Sequence, residues 1–499
     1  MNFFNEFFTQ SIPIYWMFLF TIAYAIVDAF TKKETKLTIT PILLFIIFLA
    51  FKNILIPIDT AETSLLIGFA KGMLNFSKLA NVFDIIFCVG GILITISARE
   101  HFSKIYENHK EFNALLLVSI FGMMCIAHSN NLVILFLGIE TMSIPFYVLT
   151  GFVRNREKAV EGALKYFLLG AFATGFLLYG IAMIYGATGS MYYPEISLSI
   201  MATAFNPLYL KLGIGLLIIG LLFKVAAFPF HQWAPDVYTA ASSPVAGFMS
   251  TTGKVAALSG FIGILSVLMP NNLFEDAFFE ESTFFLNQNI QLIIACVAAV
   301  TMLVGNITAI SQKNIKRMLA YSSVGHAGYM LMGIVANSHE GTTGIIFYSL
   351  AYTFTQIGAF AVISALEKKD EMNLEISDYA GIAKSQPFLA TAMAMFMFSL
   401  AGIPPFAGFF GKYFLFKAAI DAGFTWLTIV AVVASVISVY FYLSVIVQMY
   451  FKDKSADSAV IEDCAMIRNA KISVVLSVFG IIIFGLFPNF VIDFVSNLF

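Results

Sequence analysis

The chain has 499 residues, of which 59% are hydrophobic and only 12% are charged, and its mean hydropathy is +0.86. Ordinary soluble domains carry about 25% charged residues, so the composition excludes that class and predicts an all-α integral membrane protein. A net charge of -2 without any basic tract argues against a nucleic-acid partner. The four cysteines are far apart, which predicts neither a disulfide framework nor a CxxC metal site.

Apolar runs of about 20 residues predict about 14 transmembrane helices. The first run lacks the basic start and the small-residue cleavage site of a signal peptide, so we expect a retained helix. In chain order the predicted spans are 12–30, 38–55, 80–98, 113–129, 132–153, 160–184, 208–230, 244–269, 288–310, 315–336, 343–366, 387–403 continuing after a break to 420, 424–450 and 472–496.

The basic residues predict how these spans are oriented. If the N-terminus is outside, the cytoplasmic loops hold 19 of the 28 Lys and Arg residues, and the outer loops hold 4. The outer loop near residue 276 is acidic. Because cytoplasmic loops are enriched in Lys and Arg, both termini are predicted on the non-cytoplasmic side of a multi-pass protein.

The remaining bases fall inside apolar spans, where each charge costs about 2.5–3.5 kcal/mol at a helix centre. Glu140, in "LFLGIETMSIPFYVL", is the clearest acid in such a position. Charges this costly are expected to be paired or used, so they are the candidate functional residues. The bases are Lys165, Lys224, Lys254, Lys412 and Lys417.

Glu140 and Lys224 are the first pair of candidates. A protonated glutamate bonded to a neighbouring helix would explain Glu140 structurally, but we favour a proton-carrying carboxylate that faces Lys224. Pro229 offers no N–H to the carbonyl of Val225, so a helix break there supplies polar groups at membrane depth. His231 follows the break, where a packed interfacial histidine and a proton relay both fit, and its position favours the relay.

The other candidates lie further along the chain. Lys254, in "FMSTTGKVAALSGF", lies about ten residues into its span, too deep to reach the interface, and is predicted to be a buried relay lysine. His326, in "YSSVGHAGYML", fits either a packed histidine or a central proton carrier. Lys165 lies four residues after a glutamate, so a surface ion pair competes with proton transfer.

A second proline break precedes Lys412 in "SLAGIPPFAGFFGKYFLF", where the prolines free the carbonyls of Leu400 and Ala401. We assign the functional role to Lys412 and treat Lys417 as structural. The breaks near residues 229 and 404 are five helices apart, which predicts two inverted five-helix repeats, each with a broken helix. The predicted organisation is a three-helix segment (1–112), two repeats (113–269 and 270–450) and a fourteenth helix (451–499).

Six stretches in this order resemble the antiporter-like subunits of respiratory complex I, the proton-translocating NADH:quinone oxidoreductase. The resemblance extends over essentially the whole chain, and the turn "TAASSPV" departs from the family pattern. The stretches are "GIETMSIPFYVL", "ALKYFLLGAFATGFLLYG", "LFKVAAFPFHQWAPDVY", "STTGKVAAL", "KRMLAYSSVGHAGY" and "LAGIPPFAGFFGKYFLF".

The resemblance implies proton translocation driven by quinone reduction elsewhere in a multisubunit complex. It implies a charge pair of Glu140 and Lys224, a bridging Lys254, and Lys412 toward the far half-channel. The full set of expected proton-transfer residues is Glu140, Lys165, Lys224, His231, Lys254, His326 and Lys412.

The resemblance also implies the surroundings of the chain. FMN, iron–sulfur clusters and quinone are expected in partner subunits, with no redox centre in this chain. The expected partners are other membrane subunits, the lipid bilayer, protons and water, in the bacterial inner membrane. Two alternatives stay open: a subunit of a multisubunit cation/proton antiporter or membrane hydrogenase, and a stand-alone secondary transporter.

Overall fold

The computed structural model of the chain describes residues 13–30, 40–55, 72–105, 110–268, 281–367, 374–453 and 468–496. Within these ranges every regular element is helical, and extended backbone pairs only in three isolated bridges. A π-helical turn, Met249–Gly253, lies between the helices Ser243–Phe248 and Lys254–Leu268. The α-helices are α1 (Pro13–Phe30), α2 (Thr40–Leu55), α3 (Lys78–Ile105), α4 (Lys110–Ala127), α5 (Leu132–Thr150), α6 (Glu157–Thr188), α7 (Tyr193–Met201), α8 (Pro207–Lys224), α9 (Trp233–Ala240), α10 (Ser243–Phe248), α11 (Lys254–Leu268), α12 (Glu281–Ile310), α13 (Ile315–Ala336), α14 (His339–Leu366), α15 (Ile382–Ser385), α16 (Pro387–Ala401), α17 (Ala407–Asp421), α18 (Thr425–Phe451), α19 (Arg468–Leu486) and α20 (Pro488–Ser496).

Eight helical spans in the described ranges are long and apolar enough to cross a membrane, one of them the continuous run Ser243–Leu268 made of α10, the π-helical turn and α11. The bent pair of α19 and α20 makes a ninth span if it is counted once. A hydrocarbon core about 30 Å thick is crossed by about 20 helical residues, so the prediction of a multi-pass, all-helical membrane protein is confirmed. The acidic loop near residue 276 and Cys464 lie outside the described residues. Three further apolar helices are shorter: Pro13–Val27, Glu111–Ala127 and Pro387–Ala401.

The last predicted span differs from the observed structure. Residues 472–496 were expected to form one span, but the chain bends by 76° between α19 and α20. Pro488 begins α20, and because it has no backbone N–H it cannot extend the hydrogen bonds of α19. The prediction of a single regular helix is therefore wrong at Phe487. The predicted span 208–230 likewise ends early, at Lys224.

The α14 helix forms the centre of the bundle. It packs against α3, α10, α13, α16, α17 and α19, and 22 of its 28 residues are buried. By contrast, α6 and α18 expose apolar side chains such as Phe172, Leu168 and Val436. Apolar side chains on the outside are expected where lipid or a membrane partner is the solvent. The polar side chains described below are consequently gathered around the central helices.

The α12 and α13 helices approach so closely that glycine is required between them. A Cβ atom added at Gly305 would lie 2.4 Å from the backbone nitrogen of Gly325. One added at Gly328 would lie 2.6 Å from the side chain of Met302. Small residues allow helix backbones in membranes to approach, which compensates for the weak hydrophobic drive in lipid. This contact fixes α13, which carries Ser323 and His326.

The close approach predicts a large difference between two Gly→Ala substitutions. Gly305→Ala forces α12 and α13 apart and should lower the free energy of unfolding by about 1–3 kcal/mol, the usual range for overpacking. Gly175→Ala is the matched control, since a Cβ atom at Gly175 meets nothing within 4 Å. Denaturation of the purified chain in mixed detergent micelles measures both. Equal stabilities would contradict the packing described here.

Candidate functional site

Lys224 and Glu140 lie together at the meeting point of α5, α6 and α8. The Lys224 Nζ donates to the Ser143 hydroxyl at 2.9 Å and lies 3.9 Å from Glu140 Oε1. The Thr174 hydroxyl donates to the same carboxylate oxygen at 2.8 Å. The lysine side chain is 4% exposed and the glutamate side chain 24% exposed. The carboxylate therefore connects a buried ammonium group to a more open position on α6.

The sequence around Pro229 ends α8 directly after Lys224. Ala226 has a φ of 58°, a left-handed conformation that stops the helix. The Trp233 indole N–H donates to the carbonyl of Phe223 at 3.1 Å. The Phe228 N–H donates to the Thr301 hydroxyl of α12 at 2.9 Å. These side chains replace helical hydrogen bonds that the break removes, so the irregular backbone is supported inside the bundle.

His231 lies within this break, half-buried. Its ring stacks on Phe228 with 5.8 Å between centroids. Among the described residues its buried Nδ1 has no hydrogen-bond partner. A buried ring nitrogen without a protein partner is typical of a site that contacts water or exchanges a proton.

Lys254 begins α11, immediately after the π-helical turn. Its Nζ donates to the carbonyl of Ser323 at 2.8 Å and to the hydroxyl of Ser323 at 2.9 Å. The ring of Tyr238 lies 5.9 Å away, and Lys254 is 2% exposed. Because all of these partners are neutral, the amine can lose its proton without leaving a buried anion unpaired. π-Helical turns, like helix breaks, free backbone groups from regular hydrogen bonds, and they are frequent at functional sites.

His326 lies one helical turn after Ser323 on α13. Its Nδ1 is 2.5 Å from the Tyr348 hydroxyl and its Nε2 is 2.9 Å from the Tyr442 hydroxyl. The Tyr442 hydroxyl also bonds to Ser322 at 2.5 Å. Both ring nitrogens therefore contact groups that donate and accept protons, and α13, α14 and α18 meet at this histidine.

Lys412 closes the second break, between α16 and α17. Its Nζ donates to the carbonyls of Leu400 and Ala401 at 3.0 and 3.1 Å, the two carbonyls that the prolines were predicted to free. It also donates to the Ser435 hydroxyl at 2.8 Å and lies 4.8 Å from the ring of Tyr329. Tyr329 follows His326 by three residues on α13. One helix thus carries the partners of Lys254, the central histidine and a contact of Lys412.

Lys165 lies apart from the buried group, at the surface of α6. Its side chain is 46% exposed and pairs with Glu161 at 2.7 Å and with Asp236 at 3.4 Å. Asp236 also pairs with Arg317 at 2.8 Å. The ion pairs join α6, α9 and α13. Lys417, treated as structural from the sequence, is also exposed.

A fully buried ion pair that was not predicted from the sequence lies between α3 and the end of α4. His128 Nε2 lies 2.9 Å from Asp84 Oδ2, and neither side chain is exposed. Asp84 interrupts the apolar run "NVFDIIFCVGG", so the criterion that selected Glu140 could have found it. Lys316, another buried base, donates to the carbonyl of Ala241 at 2.7 Å. In the described residues no group of His, Cys, Asp and Glu side chains could hold a metal ion.

Comparisons with known proteins decide the family. The profile of the NADH:quinone oxidoreductase/Mrp antiporter transmembrane family matches residues 129–438. NADH-quinone oxidoreductase subunit N 1 of Chloroherpeton thalassium is 43% identical over 412 residues, which is 83% of each chain. The chain belongs to the NADH-quinone oxidoreductase subunit N family. All seven candidate residues predicted from the sequence lie inside the matched range of the profile.

Solved structures share the fold of this chain. A chain of respiratory complex I from Thermus thermophilus with bound aureothin superposes with a TM-score of 0.76 at 27% identity, covering 97% of this chain and 99% of that one. A chain of the Mrp complex from Dietzia sp. superposes with a TM-score of 0.78 at 19% identity, covering 98% and 96%. At that identity the second match shows a common fold and nothing about activity.

The first break predicts a measurable role for one buried indole. Trp233→Phe keeps an aromatic ring but removes the indole N–H bond to the carbonyl of Phe223, which then keeps its bond from the Ala226 N–H. The loss of one hydrogen bond should lower the free energy of unfolding by about 0.5–1.5 kcal/mol. Trp426→Phe is the matched control, because Trp426 is 40% exposed on α18. The free energies of unfolding of the two variants are compared by denaturation in mixed detergent micelles. A stability of Trp233→Phe equal to that of the control would show that the indole does not support the break.

Proposed function

We propose that this chain is a membrane-arm subunit of NADH:quinone oxidoreductase and translocates protons through its buried lysine, glutamate and histidine residues. Quinone reduction in partner subunits drives the transfer. The observation that carries this proposal is the burial of three lysines in one bundle, each bonded to oxygen atoms rather than held in a close ion pair. They are Lys224, Lys254 and Lys412.

The chemistry of these lysines supports proton transfer. A buried ammonium is strongly destabilised unless oxygen atoms surround it, while a buried neutral amine tolerates the same oxygens. Small changes in nearby charge therefore decide whether the amine carries its proton. Glu140, at 3.9 Å from Lys224, is the nearest such charge in the first group. Its movement toward or away from Lys224 would load or unload the lysine.

The proposed route follows the helices described above. Protons enter from the cytoplasmic side at Glu140 and Lys224, pass His231 and Lys254 through bridging waters, and reach His326 along α13. They leave toward the other side from Lys412. Lys165, with its surface ion pairs, is placed at the cytoplasmic approach to this route. Repulsion between neighbouring protonated groups times each transfer.

We also propose the finer architecture predicted from the sequence. It comprises about 14 transmembrane helices, a three-helix segment (1–112), two inverted repeats (113–269 and 270–450) and a last helix (451–499). Support comes from the two breaks, where α8 ends at Lys224 and α16 ends at Ala401. The proposed location is the bacterial inner membrane with both termini on the non-cytoplasmic side.

The partners follow from the same proposal. NADH oxidation requires FMN, iron–sulfur clusters and a quinone site, and these are assigned to other subunits of the complex. Membership in a multisubunit cation/proton antiporter is the main competitor, since the Mrp chain has the same fold. The 43% identity to a subunit N favours the oxidoreductase. Membranes lacking this chain discriminate, because only in the oxidoreductase does NADH oxidation lose its proton pumping.

Replacing Lys224 tests the proposal at its centre. In an assembled complex, Lys224→Ala should lower NADH-driven proton pumping by about tenfold or more, the scale expected when a positioned proton-transfer group is lost. Lys211→Ala is the matched control, because Lys211 is exposed on the same helix. NADH:quinone activity and the proton gradient are measured in the same sealed vesicles. Unchanged pumping by an assembled Lys224→Ala complex would mean that this lysine is structural.

The second break allows an independent test. Lys412→Ala should reduce pumping as strongly as Lys224→Ala, since a transfer chain fails at either end. Lys417→Ala should leave it unchanged, although the two lysines are only five residues apart on α17. Initial rates of acidification per NADH oxidised provide the comparison. If the Lys412→Ala complex pumps like the parent complex, Lys412 is not part of the route.

A further inference from the structure

A partly open cavity, here called the polar cavity after the hydroxyl, amide and imidazole groups in its wall, lies between α3, α4, α7, α11 and the junction of α13 with α14. Its volume is about 420 Å³, which accommodates several water molecules. Its lining is more apolar than polar, but serine, asparagine and histidine side chains interrupt it. The polar lining includes Asn75, Ser129, Asn130, Ser259, Asn337 and His339.

The cavity extends deep into the bundle. Along α11 its lining runs from Ser259 to Val267, which is about 12 Å of helix. Lys254 lies five residues before Ser259, or about 7.5 Å further along the same axis. The cavity therefore ends about one and a half helical turns from the bridging lysine. In the proposed orientation its end near Val267 is non-cytoplasmic.

The Asp84–His128 pair lies directly behind the wall of this cavity, although neither side chain lines it. Phe83 on α3, and Ala127 and Ser129 on either side of His128, all line it. The other ring nitrogen of His128, Nδ1, lies 2.9 Å from the carbonyl oxygen of Asn75. Asn75 also lines the cavity. Cys88 on α3 and Cys125 on α4 are titratable groups close enough to interact electrostatically with Asp84.

The hydrogen bonds determine how many protons the pair holds. A carbonyl oxygen only accepts, so His128 Nδ1 must carry a hydrogen. His128 Nε2 and Asp84 Oδ2, 2.9 Å apart, then need one shared proton, because two acceptors would repel at that distance. Asp84 Oδ1 is buried and has no hydrogen-bond partner among the described residues. One proton is therefore shared between Nε2 and Oδ2, in addition to the hydrogen on Nδ1, and Oδ1 remains a free acceptor.

We propose that Asp84 and His128 form a proton-exchanging pair that connects the interior of the bundle to the polar cavity. A proton released when an N–H bond of the Lys254 ammonium breaks, and carried by bridging water, forms an O–H bond at Asp84 Oδ1, while the shared proton stays on His128 Nε2. Release breaks that O–H bond and transfers the proton to water in the cavity, and the pair returns to its starting state. This inference rests on the proposed function, because it adds an outward step that each cycle of the same proton transfer must complete besides the exit at Lys412.

A purely structural role would not require these side chains. The turn before α3 is already held to the turn after α4 by backbone bonds, from Asn75 N to the carbonyl of His128 at 2.7 Å and from Asn130 N to the carbonyl of Met73 at 3.0 Å. A buried acid and base add a large desolvation penalty to a contact that the backbone makes without them. Exchange of a proton with the adjacent cavity accounts for that penalty.

The test uses the assembled complex in sealed vesicles. Asp84→Asn keeps the shape but removes the acid, and should lower the NADH-driven pumping rate by about tenfold or more. Asp84→Glu restores an acid and should recover much of it. Asp493→Asn, at an exposed aspartate on α20, is the matched control and should pump normally. A protonated-carboxyl infrared band that shifts in deuterated buffer should appear in the parent and vanish in Asp84→Asn.

A second measurement tests the cavity without altering the pair. In a chain whose native cysteines are replaced by serine, Ser259→Cys and Ser266→Cys should react with a charged methanethiosulfonate added on the non-cytoplasmic side. Val433→Cys, on the exposed apolar face of α18, should not react. Absence of labelling from either side would overturn the cavity as a water path. Labelling only from the cytoplasmic side would overturn its outward direction.

The outcomes separate this inference from the proposed function. If Lys224→Ala abolishes pumping while an assembled Asp84→Asn complex pumps like the parent, the outward pair is wrong and the lysine route stands. If the Lys224→Ala complex pumps like the parent complex, the proposed function itself fails. If the Asp84→Asn complex does not assemble, the pumping rate of Asp84→Glu and the labelling of Ser259→Cys test the inference instead. An Asp84→Glu complex that does not pump, together with an unlabelled cavity, would overturn it.

Discussion

The need to surround each buried ammonium group with oxygen atoms governs this structure. A charge inside an apolar bundle is destabilised by several kcal/mol unless hydrogen bonds replace its water shell. The chain supplies those oxygens largely from interrupted helices and hydroxyl side chains. Lys412 takes the two carbonyls at the end of α16, and Lys254 takes the carbonyl and hydroxyl of Ser323. The irregular backbone and the buried lysines therefore depend on each other.

Two central helices turn these separate sites into one connected system. α13 carries Ser323, His326 and Tyr329 at successive three-residue intervals, and these contact Lys254, two tyrosine hydroxyls and Lys412 respectively. α14 contributes Tyr348 from the centre of the bundle. The glycine contact between α12 and α13 holds this line in place. Packing and proton-transfer geometry are thus determined by the same helices.

Much of the site could be identified from the sequence because membrane burial makes ionisable residues conspicuous. Lys224, Lys254 and Lys412 interrupt apolar runs, and each is buried in the structure. The criterion is less informative near helix ends, where Lys165 reaches the surface and forms ion pairs. The same criterion, an ionisable residue inside an apolar run, also selects Asp84 when it is applied to the whole sequence. The bend at Phe487 was missed because Pro488 stands inside an otherwise continuous apolar run.

The sequence by itself determined the class of protein, the approximate positions of the helices and the ionisable residues that need partners. Those properties follow from the local balance of apolar and charged side chains, which a single run of residues displays. Only the tertiary structure decided which partners meet, because they are distant along the chain: Lys224 bonds to Ser143, and Tyr442 bonds to Ser322, 120 residues away. Hydrogen-bond geometry depends on how helices pack, and hydropathy carries no information about that packing.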